Sequence, residues 1–331
     1  MARRPARLPT IASVHRMVQG PLAQRRRGIL IGGYFGLVRQ QLELDDGRTI
    51  RLVGEPAQGT RHQVLFGVLQ DREQPVVVKV ERIPGALARE CAALDWLGEV
   101  SPGSAPRLID FTDAILAGER VTCLVMDRHS GRVPDTVAGW KRMGAAVARL
   151  AEVGYPRHVL PVKQTDAFVQ AHVDRIGELG ARLDPFVHAI KDWTELTHRS
   201  LPRSSVLVLT HGDPGPGNYL HTDSTGVLID WEEAQVAPLG LDLGRLMFIA
   251  LLGSGPSGFV ARDQQERMRA VAEGYLNTVR DVWTPEPEEL RWWLSVAAIQ
   301  FVHRRWQLDG RPAPWEHVAH VLTSALNEQI A

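Results

Sequence analysis

The stretch THGDPGPGNYLHTDSTGVLIDWEE, residues 210–233, decides how this chain is read. It sets Asp213 in a turn dense with glycine and proline, Asn218 at the opening of the run NYLHT, and Asp230 at the close of a second run, GVLID. A loop of that composition is stiff and exposes Asp213 where a hydroxyl can approach, so its carboxylate can accept or orient an alcohol's proton. Asn218 adds a neutral oxygen and Asp230 a hard anionic one, a donor pair that suits Mg²⁺ held together with substrate phosphates. The spacing D-x-x-x-x-N, followed by a strand ending in Asp, is that of a phosphoryl-transfer catalytic loop. The blander reading, a surface turn and hairpin with Asp230 as a cap, leaves the three spaced oxygen donors a coincidence.

Upstream, PVVVKVE (residues 75–81) centres Lys79 in an apolar strand, in a chain whose other lysines are Lys141, Lys163 and Lys191. A desolvated ammonium is costly unless an anion faces it. Glu90, eleven positions on in the helical pattern ALARECAALDWL (residues 86–97), supplies one. Kinases use such a strand lysine and helix glutamate to present an ammonium to nucleotide phosphates; the alternative is an edge strand whose lysine faces water. The turn GTRHQVLFG, beginning at Gly59, could close over phosphates with its backbone N–H groups. It carries neither G-x-x-x-x-G-K-[ST] nor G-x-G-x-x-G, and a plain hairpin turn explains it as well.

From Leu37 to Glu81, short apolar runs broken by Asp-Gly and Gly-containing turns predict an antiparallel meander. VTCLVMD (residues 121–127) returns to strand. Beyond it, residues 138–153, 167–183, 265–283 and 287–308 show the three-to-four-residue apolar spacing of helices, with short strand candidates SVLVLT, NYLHT and GVLID between them. The expected organisation is α+β and bilobal. A basic N-terminal extension over 1–36 leads into a nucleotide-binding lobe over 37–126, a small antiparallel β-sheet with one helix. A larger, mainly helical catalytic and substrate-binding lobe follows over 127–331.

With these pieces in place, HGDPGPGN and IDWE resemble the catalytic and metal-binding motifs of the aminoglycoside phosphotransferase and choline kinase-like family, which shares a protein-kinase-like fold. VVVKV, RECAALDWL, LVMDRHSG and PLGLDLGRL follow in that family's order. The resemblance implies that Asp213 is the catalytic aspartate, that Asn218 and Asp230 coordinate Mg²⁺, and that Lys79, partnered by Glu90, contacts the phosphates of ATP or GTP. It implies too that LVMDRHSG is the hinge, with backbone groups of Asp127 and His129 on the purine and Met126 beside the base. His211 is read as a brace for the loop, Asp242 as an anchor of the helix that follows it, Trp231 as core packing, and Glu232 as added negative charge near the metal or acceptor. RLAEV (residues 149–153) departs from the family's leucine-histidine pair, and PLGLDL from its Gly-Asp-Pro lead-in.

The expected reaction moves the γ-phosphoryl of a nucleoside triphosphate to a hydroxyl of a small molecule. An aminoglycoside or other antibiotic is the first candidate acceptor, and a metabolic alcohol such as choline, a sugar or homoserine the second. Asp166, Asp174, Glu178, Asp192, Glu195 and Glu232 could hold a polycation or form a solvated face, and Trp283, Trp292, Trp293, Phe301 and Trp306 fit a core or an apolar pocket. A nucleotide-binding regulator without turnover would usually lack one of these residues.

Composition narrows the partners. With 38 basic and 38 acidic residues among 331, no overall field recruits nucleic acid or an anionic membrane. The first forty residues hold eight arginines and no carboxylate, a polyanion-binding arm or a solvated tail. The longest other apolar run, LMFIALLG (residues 246–253), falls far short of the ~20 residues that span a bilayer. Two cysteines, Cys91 and Cys123, form neither a disulfide framework nor a metal spacing, and a reducing cytoplasmic setting is expected.

Overall fold

The computed structural model describes residues 41–54, 57–58, 62–156, 159–180, 206–222, 226–252 and 262–309. Gly59, the extension over 1–36, Asp192, Glu195 and the side chain of Trp306 lie outside the described residues. The chain divides into two units, Met1–His129 and Ser130–Ala331.

The first unit is built on β1 (Gln41–Leu44), β2 (Thr49–Leu52), β3 (Ala57–Gln58), β4 (His62–Leu69), β5 (Gln74–Glu81), β6 (Leu108–Leu116) and β7 (Glu119–Asp127). They pair in the order β2-β1-β6-β7-β5-β4-β3, and β2 pairs also with β4, Ile50 opposite Leu69 and Leu52 opposite Gly67. The expected small sheet is therefore corrected: six strands close into a barrel, and β3 lies on its rim. Closure depends on close approach at Gly67, where a Cβ would stand 2.4 Å from Cγ2 of Ile50. The proposed phosphate turn is corrected as well, because His62–Gly67 belongs to β4 and only 59–61 separate it from β3. β6, which sequence patterning did not single out, inserts between β1 and β7 through a two-residue turn with positive φ at Ala117 and Gly118.

Leu42, Leu44, Ile50, Leu65, Leu69, Val76, Val78, Val80, Ala114, Cys123 and Val125 fill the barrel. Strand side chains alternate between faces. Val78 and Val80 point inward, so Lys79 points out of the barrel. There α1 (Ala88–Val100) buries Glu90, Cys91, Leu94 and Leu97.

In the second unit, α2 (Val137–Ala148) runs into a 3₁₀ turn, Arg149–Ala151, and α3 (Thr165–Gly180) follows. Thr136 caps α2 by accepting the Gly139 N–H at 3.1 Å. Two antiparallel pairs come next: β8 (Leu207–Thr210) with β11 (Gln235–Pro238), and β9 (Tyr219–His221) with β10 (Gly226–Leu228). Sequence patterning did not distinguish β11. Three helices complete the unit: α4 (Gly240–Leu252), α5 (Arg262–Val279) and α6 (Pro287–Asp309). α2 packs on α5, α4 on α5 and α6, and α3 on α6.

Trp283, Trp292 and Trp293 are core side chains, with the rings of Trp292 and Trp293 edge to face at 4.6 Å. Half-buried Phe301 meets Phe248 at 5.4 Å. Among the described residues, no helix is long and apolar enough to cross a membrane.

Candidate active site

In the first unit the structure brings together Lys79 and Glu90. The ammonium lies 2.8 and 2.7 Å from the two oxygens of Glu90, and both residues are buried, at 5% and 0% exposure. In an ion pair removed from water this completely, the hydrogen bonds each charge supplies to the other offset the cost of desolvation. Met126 is buried in β7. Asp127 ends that strand with its N–H donated to the Arg107 carbonyl at 3.0 Å and its carboxylate paired with the Arg107 guanidinium at 2.9 Å. Only its carbonyl among the backbone groups is left for the purine contact expected of it, which narrows that expectation. His129, the last residue of the unit, is half-buried.

In the second unit the loop after β8 is over-determined. Gly212 has φ +82°, and a Cβ there would stand 2.0 Å from the Glu233 carbonyl oxygen, so glycine is required twice over. Asp242 accepts the His211 N–H at 2.7 Å and the Gly212 N–H at 3.1 Å. Its expected role is corrected by these bonds: the carboxylate lies in the first turn of α4 and braces the loop thirty residues before it. Complete burial pushes its pKa up to about 6, with Arg245 and the two N–H donors opposing.

Both ring nitrogens of His211 bond the backbone. Its Nε2 lies 2.9 Å from the Ile229 carbonyl, so that nitrogen carries the proton, and Nδ1 accepts the Asp213 N–H at 3.3 Å. Its ring packs on Trp231, which is wholly buried and donates Nε1–H to the Leu228 carbonyl at 2.8 Å. Asp213 is half-buried. Burial raises its pKa, Arg245 and Arg304 pull it down, and Asp230 and Glu233 push it up.

Asn218 and Asp230 stand at neighbouring places on one hairpin. Asn218 ends the 3₁₀ turn Pro216–Asn218 rather than opening β9, and Asp230 lies two residues past the end of β10. The Ile229 N–H donates to the Asn218 carbonyl at 2.9 Å, which ties the two segments together. Asn218 gives its amide N–H to the Asp213 carbonyl at 2.9 Å, so its side-chain oxygen is the atom left to face a cation. Asp230 is held at φ +67°, a left-handed conformation uncommon outside glycine and found at sites that the surrounding fold constrains. A neutral and an anionic oxygen on one hairpin fit a hard cation such as Mg²⁺. Glu232 is half-buried in the following turn.

For the acidic residues of α3, weighed as a polycation lining or a solvated face, the structure gives exposed positions. Asp166, Asp174 and Glu178 are exposed on α3, with Asp174 accepting from Gln170 at 2.8 Å and Glu178 meeting His303 at 2.8 Å. The charged groups that act on Asp213 include two arginines that sequence reading did not single out. Arg245 follows Asp242 by one helical turn, a signal visible in GLDLGRL once that segment is taken as helix.

Residues 55–293 match the family described as Phosphotransferase enzyme family. No curated protein matches the chain in sequence. Solved structures are similar in fold. A macrolide 2'-phosphotransferase from Brachybacterium faecium has 21% identity and a TM-score of 0.53, over 86% of this chain and 93% of that one. A choline kinase from Cryptosporidium parvum Iowa II has 13% identity and a TM-score of 0.51, over 84% and 87%. An amicoumacin kinase in complex with AMP-PNP and Ca²⁺ has 14% identity and a TM-score of 0.53, over 85% and 88%.

Proposed function

We propose that this chain, which belongs to the phosphotransferase enzyme family, moves the γ-phosphoryl of ATP or GTP to a hydroxyl of a small molecule, with Asp213 as the residue that takes the hydroxyl proton. The observation that carries this reading is the loop 211–213. Two buried N–H bonds to Asp242, the His211 brace and the glycine-only turn at Gly212 fix the position of Asp213. Catalysis of phosphoryl transfer is mostly positioning and electrostatics, and a rigid carboxylate supplies the first.

As the acceptor oxygen bonds to the γ-phosphorus, its proton passes to the Asp213 carboxylate and the β–γ bridging oxygen leaves with the nucleoside diphosphate. Opposing pulls on Asp213 suit this: burial raises its proton affinity, while Arg245 and Arg304 keep the ionised form populated. Mg²⁺, held by the Asn218 side-chain oxygen and the Asp230 carboxylate, would supply positive charge against the phosphates when bound. Lys79, held by Glu90, presents its ammonium to the phosphates, and the Asp127 carbonyl, the His129 backbone and Met126 meet the base.

An antibiotic hydroxyl is the first acceptor class and a metabolic alcohol such as choline, a sugar or homoserine the second. Solved neighbours whose names include a macrolide phosphotransferase and a choline kinase support both. Release of ADP from ATP with Mg²⁺, measured across such acceptors, tests the reading. Acceptor-dependent turnover that Asp213→Asn lowers by orders of magnitude, with nucleotide binding retained, is expected; turnover that survives the substitution would refute the role of Asp213.

A further inference from the structure

Three arginines stand on three helices of the second unit: Arg175 on α3, Arg245 on α4 and Arg304 on α6. Arg245 donates from Nη2 to Gln300 Oε1 at 3.1 Å, and Gln300 precedes Arg304 by one turn, on the same side of α6. Arg175 follows His172 by one turn, and His172 Nε2 is 3.4 Å from Ser295 Oγ of α6, which fixes the side of α3 that faces α6. Arg245 and Arg304 both act on the Asp213 carboxyl. Arg245 disfavours the charge on Arg175, and Arg304 that on Arg245, so Arg245 is within electrostatic reach of both.

Nothing among the described residues satisfies this arrangement fully. Nη1 of Arg175 and Nη1 of Arg245 are both enclosed and lack a hydrogen-bond partner there. Asp242 is committed to the loop N–H groups, Glu178 to His303 and Asp174 to Gln170, while Asp242, Asp213 and Glu233 together favour the charge on Arg245. An enclosed N–H without an acceptor costs about 1–3 kcal/mol. Two of them on mutually repelling guanidinium groups describe a place shaped for an oxyanion, which a guanidinium fork binds in bidentate fashion.

Resting on the phosphotransferase reading, we propose that the acceptor carries, besides the hydroxyl it offers Asp213, an oxyanion group, a carboxylate or a phosphate, that docks on Arg175, Arg245 and Arg304. Arg304, exposed on α6, attracts the group from solvent, and the two enclosed Nη1 atoms fix it. The same three charges work against a polycation.

The test uses the full chain, ATP and Mg²⁺, with acceptors matched except for the anion: glycerate against glycerol, gluconate and glucose 6-phosphate against glucose, with kanamycin and choline beside them. The anionic members are expected to give a kcat/KM at least about tenfold above their neutral partners, the difference a charge-assisted contact makes. Arg304→Gln and Arg175→Gln should each raise KM for the anionic acceptor about tenfold or more, and Arg304→Lys should restore part of the loss. Carboxylate and phosphate members tell the two oxyanion sources apart.

Preference for kanamycin, choline or glycerol, insensitive to these substitutions, would overturn the proposal while leaving the kinase reading intact. Should no compound be phosphorylated, the kinase reading fails, and a second readout decides this one alone. Gluconate or glucose 6-phosphate should raise the melting temperature of the wild-type chain and not of Arg304→Gln, an exposed position that folding tolerates; equal shifts in both, or in neither, would overturn it.

Discussion

Replacing Gly212 by alanine puts the loop geometry to a quantitative test. The backbone there has φ +82°, which costs a residue with a Cβ about 1–2 kcal/mol. The added carbon would sit 2.0 Å from the Glu233 carbonyl oxygen and 2.7 Å from its carbon, roughly 1.5 Å inside ordinary contact. Both are main-chain atoms, so no side-chain rotation relieves the clash; one segment must move by about 1 Å, at an overpacking cost of about 1–3 kcal/mol. Together these give a loss of about 2–5 kcal/mol. A shift of about 1 Å next to Asp213 costs about 10²-fold in turnover. Urea unfolding and kcat with the best acceptor read the two effects. Wild-type stability with kcat within threefold would refute the argument that the loop is fixed by this contact.

Glu90→Gln leaves the Lys79 ammonium enclosed opposite a neutral amide and should destabilise the chain by about 3–5 kcal/mol in urea unfolding, whereas the paired change Lys79→Met with Glu90→Leu should cost much less. Asp242 titrates at about 6 in the folded chain, above the ordinary carboxylate value of ~3.9. The protonated form therefore favours the fold, and its contribution, present below about pH 4, is lost as pH rises through about 6, a swing on the order of 3 kcal/mol. Unfolding of wild type and Asp242→Asn between those limits should show it, with wild type losing ground to the variant as pH rises; parallel profiles would contradict the buried charge. Cys91 and Cys123 are buried with their thiols pushed up to about 12, so a maleimide should label neither in the native chain and both in denaturant.

Sequence alone brought out Asp213, Asn218 and Asp230 because their types and spacing suggest a base and two cation donors, and the structure ties the segments of the latter two together. Lys79 and Glu90 were legible for the same reason, a charge in an apolar strand having to find its counter-charge. What the sequence hid was long-range. Closure of the barrel rests on pairing between β2 and β4, and a strand's period of two says which face is buried but not which neighbour it meets. The bonds from Asp242 back to His211 and Gly212 bridge thirty residues. The helix carrying Asp242 begins at Gly240, in a segment whose glycines argue against helix, and Arg245 owes its place beside Asp213 to that helix. For the acidic residues of α3 a lining and a solvated face stayed equally open, because charge counts do not say which face of a helix they occupy.

In the proposed reaction Asp213 serves transfer of a phosphoryl group to an acceptor hydroxyl. Incubating the chain with ATP, Mg²⁺ and each acceptor, then weighing the acceptor by mass spectrometry, is the decisive measurement. An acceptor heavier by one phosphoryl group is expected with the wild-type chain, and unmodified acceptor with Asp213→Asn. Phosphorylated acceptor formed equally by both would contradict it.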